Sequence, residues 1–190
     1  MPRSPHLPQL LICAVLGLLA NSAQASAPSP APDSLQPLLV TLNERLSIAD
    51  LVALTKWDSG KPIQDSAREA QVIANARKLA VERKLDPDEV AELIAAQIEA
   101  NKLVQYGLVA QWRAAGKAPD TPRPDLANQI RPQLDELQNR LLQQYAAFAP
   151  YRKDPQCVNW LAKERSRLVN DGLHGQALIR ATGELCVAAQ

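Results

Sequence analysis

From Leu35 onward, apolar residues recur at every third or fourth position: Leu35, Leu38, Leu39, Leu42, Leu46, Ala49 and Val52 or Ala53. That spacing lays one apolar stripe along an α-helix. It predicts a first helix, capped by Asp33 or Ser34 and running to about Trp57, where Asp58-Ser59-Gly60-Lys61-Pro62 breaks it. A second helix is expected from near Asp65 to Lys84, turning Val72, Ile73, Ala76, Leu79 and Ala80 inward. Asp86-Pro87 sets an N-cap before a proline at the first helical position, a favoured start for a third helix. Its stripe reads Val90, Ile94, Ile98, Asn101, Gln105, Leu108 and Trp112, with two uncharged amides among the apolar residues. A fourth helix is expected over Leu126–Phe148, with Pro132 either kinking it or marking a short first turn. A fifth should run from Asp154-Pro155 to Asn170, and a sixth from about Leu173 to Ala188. No segment sustains a two-residue alternation of β-branched residues, so the pattern predicts an all-α, six-helix single domain.

The amino end follows a different pattern. Arg3 precedes the short apolar run Leu10–Ala20, and Ala23-Gln24-Ala25 fits small-residue cleavage before Ser26. Residues 1–25 are therefore read as an export signal, too short in its apolar part to span a bilayer. The protein is expected to be periplasmic or secreted, with no membrane attachment after cleavage. Cys13 lies inside the signal and is read as discarded with it. Residues 26–33 read as a flexible or extended leader. The expected core spans 34–115, a proline-rich connector 116–125, and a C-terminal helical part 126–190.

Composition narrows the function. The chain carries 21 basic and 20 acidic residues, and loss of Arg3 with the signal leaves these balanced. No basic field for nucleic acid remains. The mature chain, about 165 residues, is of ordinary single-domain size. Two cysteines survive, Cys157 and Cys186, in a compartment that permits oxidation, and a disulfide joining a C-terminal helical hairpin is the default reading. Zinc is the alternative, with His174 the one histidine nearby and no CxxC.

Chemistry concentrates between Leu42 and Ile73. Arg45 and Lys56 lie on one predicted helix at a spacing close to three whole turns, about 16 Å apart on one face. Arg68 follows on the next helix, beside Asp65 and Glu69 at positions that share its face. Taken singly, each is an ordinary surface charge, and Asp65, Arg68 and Glu69 could form a solvated ion pair with a capping carboxylate. Asn101 and Gln105 lie one turn apart facing the expected core, where an amide must be hydrogen-bonded. A buried amide ladder between helices would satisfy them.

Taken together, Arg45, Lys56, Asp65, Arg68, Glu69, Asn101 and Gln105 resemble the active-site pattern of the helical chorismate mutases, in register. The export signal, extra C-terminal helices and cysteine pair are similar to the secreted, or periplasmic, subclass. The resemblance covers about Leu35 to Cys186. It implies conversion of chorismate to prephenate with no cofactor and no metal. It also implies that an arginine from the C-terminal half completes the site; Arg131 is the best match and Arg140 the fallback. Arg45 and Arg131 would hold the enolpyruvyl carboxylate, and Lys56 that carboxylate and the ether oxygen. Arg68 and Asn101 would orient the ring carboxylate, and Glu69 with Asp65 the ring hydroxyl. Gln105 would donate to the ether oxygen opposite Lys56. Asn101 stands where relatives carry a hydroxyl residue, and Gln105 where some secreted relatives carry glutamate. The resemblance further implies a homodimer with a complete site in each chain. Two other readings are an isochorismate pyruvate lyase on the same scaffold, and a non-catalytic, disulfide-stapled module that binds an anionic metabolite or a protein.

Overall fold

The computed structural model describes Met1, residues 29–169 and residues 171–187. The export signal expected over 1–25, with Cys13, lies outside the described residues apart from Met1. Six α-helices form the described chain: α1 Leu35–Ser59, α2 Ser66–Glu82, α3 Pro87–Ala115, α4 Arg131–Phe148, α5 Cys157–Arg165 and α6 Gly172–Ala181. There is no strand among the described residues.

Local sequence explains most of the boundaries. α1 runs past Trp57 to Ser59 because Gly60 accepts the left-handed conformation, φ 64°, that closes its last turn. Neither Asp33 nor Ser34 caps its start: Ser34 sits at the N-cap position without a side-chain hydrogen bond, and the Leu35 N–H is satisfied by Pro32 O at 3.0 Å. The Asp86 carboxylate caps α3 through Asp88 N at 2.8 Å and Glu89 N at 3.0 Å, ahead of Pro87 in the first turn. α2 ends at Glu82, two residues before the expected Lys84. Lys84 itself takes the left-handed position, φ 57°, and Leu85 N closes on Ala80 O at 2.9 Å.

The connector leads into a wider first turn than the pattern suggested. Leu126–Ile130 winds as a π turn, capped by Asp125, before α4 begins at Arg131. Pro132 has no N–H to give to the preceding turn. The bonds there span five residues instead, Ile130 N to Asp125 O at 3.0 Å and Arg131 N to Leu126 O. Of the two expectations for Pro132, a distinct first turn is the one observed.

The C-terminal helices are shorter than expected. Asp154-Pro155 forms a turn, and α5 begins only at Cys157 and stops at Arg165, because consecutive tight turns replace the helix through Leu168. α6 ends at Ala181, where Thr182 folds its hydroxyl back onto Leu178 O at 2.7 Å. Cys186 therefore lies beyond α6, not on it. Its bond to Cys157, with Cα atoms 5.8 Å apart, ties the start of α5 to the segment after α6. α6 packs mainly on α3, and α5 on α1, so the hairpin is joined by the bridge and not by a helix–helix seam.

α1 and α3 form the spine, with α2 and α6 laid on α3 and α4 on α1. The main core draws Leu38, Leu42 and Leu46 from α1, Ile94 and Val104 from α3, and Leu141, Tyr145 and Phe148 from α4. A second cluster joins the ends of α1 and α3 through Ala53, Leu54, Val109 and Trp112, with Trp57 and Trp112 edge-to-face at 6.0 Å. Ser29 to Asp33, expected to be part of a tether, is held to the body: the Trp160 indole N–H donates to Ser29 O at 2.7 Å, and Ala31 packs on the core.

Candidate active site

One cleft of about 170 Å³ opens between α1, α2, α3 and the start of α4, and every residue expected to form the site lines it. α1 supplies Arg45 and Lys56, the turn into α2 supplies Asp65, and α2 supplies Arg68 and Glu69. α3 contributes Asn101 and Gln105, and Arg131 enters as the first residue after the π turn. Arg140 does not line the cleft; it is ion-paired with Glu44 on the outer side of α1. Of the two candidates, the structure brings Arg131 to the other residues.

Arg45 is 5% exposed, and its Nη1 donates to Leu134 O at 3.0 Å. Burial pulls its guanidinium down to about 10, against the attraction of Asp135. Its Nε is buried without a hydrogen-bond partner, as is Oε1 of Gln105. Such groups are costly to leave unmet. Arg68 lies farther out, bonded to Gln71 Oε1 at 3.0 Å and 3.8 Å from Asp135.

The carboxylates are engaged differently from a solvated pair with Arg68. Asp65 caps α2, accepting from the Arg68 backbone N–H at 3.1 Å. Glu69 reaches back to accept from Asp65 N at 3.1 Å, and its other oxygen accepts from Lys102 Nζ at 3.2 Å. The amides do not form a ladder between helices. Asn101 Nδ2 turns back onto Gln97 O of its own helix at 3.0 Å, while Gln105 is buried at the cleft wall.

The cleft also contains polar residues that the sequence pattern did not single out, Gln97, Lys102, Asp135 and Gln138; its apolar lining is Val52, Val72 and Ile98 from the expected stripes, with Ile63, Leu126 and Leu134. Gln97 had a visible signal, one turn before Asn101 on the same stripe; its Nε2 donates to Ala181 O at 2.6 Å, so it also fastens the cleft wall to α6. Lys102 and Asp135 fall outside the apolar stripes, and only the packed helices bring them in. Five cations and three carboxylates line the cleft, leaving it two charges positive. Lys56 also borders two neighbouring surface grooves, one with Lys61 and Arg113 and the other with Lys61, Arg123 and Arg131, so the mouth is basic as well.

Residues 36–106 match the family described as Chorismate mutase type II. The secreted chorismate mutase of Mycobacterium tuberculosis is 32% identical over 92% of this chain and 89% of its own. The chain belongs to the chorismate mutase family. The secreted chorismate mutase of Mycolicibacterium smegmatis is also 32% identical, over 95% of this chain and 99% of that one. In three dimensions, the chorismate mutase of Burkholderia phymatum superposes with a TM-score of 0.80 at 43% identity, covering 82% of this chain and 97% of that one. Family membership thus reaches beyond the segment 36–106 into the C-terminal helices, which carry the fourth wall of the cleft.

Proposed function

We infer that this chain is an exported chorismate mutase, isomerising chorismate to prephenate, and that the cleft between α1, α2, α3 and α4 is its active site. One observation carries the assignment of the site: a single chain gathers Arg45, Lys56, Arg68 and Arg131 around one cleft whose net charge is opposite to that of a dianion. The rearrangement is unimolecular. The ether C–O bond breaks as a C–C bond forms between the enolpyruvyl arm and the ring, so the protein must fold the arm over the ring and stabilise charge on the parting oxygen.

In this reading Arg45 and Arg131 grip the enolpyruvyl carboxylate, with forked donors that match a carboxylate in geometry. Arg45 Nε, buried and unmatched, finds its acceptor there. Arg68 and Asn101 orient the ring carboxylate. Glu69 accepts the ring hydroxyl, while Asp65 acts mainly by fixing the turn of α2 that presents Arg68 and Glu69. Lys56 and Gln105 donate to the ether oxygen from opposite walls. The reading includes cleavage of the signal after Ala25 and a homodimer with a complete site in each chain, which sedimentation tests.

The decisive experiment incubates mature protein with chorismate and follows prephenate. Turnover that collapses in Lys56→Ala, with the helical fold retained, is expected. Folded wild-type protein that leaves chorismate unchanged would refute the function.

A further inference from the structure

We propose that Lys102 is a positioning residue of this cleft, holding the Glu69 carboxylate where it accepts the ring hydroxyl and supplying the charge that completes the match to a dianion. The inference rests on the functional reading above and extends it to a residue to which that reading gives no role.

Lys102 follows Asn101 on α3, and its side chain is only 13% exposed. The covered stem carries the ammonium to close partners. These are Glu99 Oε1 at 2.7 Å and Glu69 Oε2 at 3.2 Å. Glu99 alone would make an ordinary pair within one helix, on the solvent side. The second contact crosses from α3 to α2 and draws the ammonium into the cleft wall. It also fixes Glu69. One carboxylate oxygen is held by Asp65 N at 3.1 Å and the other by Lys102, which leaves the remaining lone pairs on both oxygens for a ligand hydroxyl.

Charge points the same way. The carboxylates of Asp65, Glu69 and Asp135 would reduce the four cations Arg45, Lys56, Arg68 and Arg131 to a single net positive charge without Lys102. With it the lining is doubly positive. The side-chain bond to Glu99 is the largest influence holding the Lys102 ammonium above its ordinary value; burial opposes it and Glu69 adds to it, so the charge is present at any working pH.

The test is steady-state kinetics on the mature protein with Lys102→Met, Lys102→Gln, Lys102→Arg, Glu69→Gln and the double variant Lys102→Met/Glu69→Gln. Lys102→Met and Lys102→Gln should each raise KM about tenfold, the size of a lost hydrogen bond to a charged group, and leave kcat within about twofold. Lys102→Arg should restore most of the affinity. In the Glu69→Gln background, Lys102→Met should add no further loss, since the two act as a unit. An unchanged KM in folded Lys102→Met or Lys102→Gln, or a full additional loss in the double variant, overturns the inference while the functional reading stands. Wild-type protein inactive on chorismate overturns both.

Discussion

At Arg45, burial and function pull against each other. The guanidinium is held in the wall by Leu134 O, yet its Nε has no partner, so the protein bears a cost that a bound carboxylate would remove. Lys56 is different: it stands where the cleft meets two surface grooves, and on the proposed function its ammonium follows the charge that develops on the ether oxygen. Lys56→Ala should therefore lower kcat by about 100- to 1,000-fold, the usual loss for one such donor, with little change in the thermal midpoint. Gln105 needs no proton to donate, whereas a glutamate there would. Wild-type turnover should stay level on mild acidification from neutral pH. Gln105→Glu should instead gain activity as pH falls, and a pH profile of kcat for both proteins checks this. Arg131→Ala should raise KM well above wild type, while Arg140→Ala, breaking an exposed pair with Glu44, should change stability by less than about 1 kcal/mol and leave kinetics alone.

The helix ends set the geometry of the site. The turn from α1 to α2 closes with Gly60, and Asp65 then caps α2 so that Arg68 and Glu69 fall on the cleft side. Asp65→Ala should cost about 1 kcal/mol of stability and loosen both neighbours. At the far end of α2, Lys84 occupies a left-handed position where a side chain is strained by about 1–2 kcal/mol. Lys84→Gly should leave the melting temperature unchanged or raise it. The helices and their inward stripes were readable because helical periodicity survives without coordinates; seven of the cleft residues were readable through the family resemblance, while Arg131 stayed one of two candidates until α4 was packed. The π turn was not readable, since five-residue bonding leaves no periodic mark and Pro132 fits either of two outcomes. Lys102 was also hidden: next to Asn101 in sequence, it reads as an outward charge until α2 is packed alongside. The short α5 and α6 reflect propensity overridden by packing, with Thr182 and the disulfide ending what the sequence could have continued.

Over the whole molecule, one tie staples the C-terminal segment to itself, and another joins it to the spine alongside the Gln97–Ala181 bond and the Arg152–Glu89 pair. The disulfide closes a separation of 29 residues. On a chain-entropy account it contributes roughly 3 kcal/mol, so a reductant should lower the melting temperature by about 6–12 °C. The second tie is ionic: His174 bridges Asp171 at 2.7 Å and Asp50 of α1 at 3.0 Å. Burial draws its imidazole down, but the two carboxylates outweigh it and hold the group above its ordinary 6.5. A raised folded-state value means that this contribution is full below about pH 6.5 and fades as pH climbs through the folded value. His174→Gln should accordingly lower the melting temperature more at about pH 5 than at about pH 9.

On the proposed function, with Arg45, Lys56, Arg68, Gln105 and Arg131 all lining one cleft of a single chain, the unit of inheritance and the unit of activity would coincide. Co-expressing a Lys56→Ala copy with an Arg131→Ala copy should rescue nothing, since neither can lend the other its missing wall. A cell carrying one damaged and one intact gene should lose activity only in proportion to dosage, without a dominant defect. After export, dilution into a large volume should leave the rate per molecule unchanged.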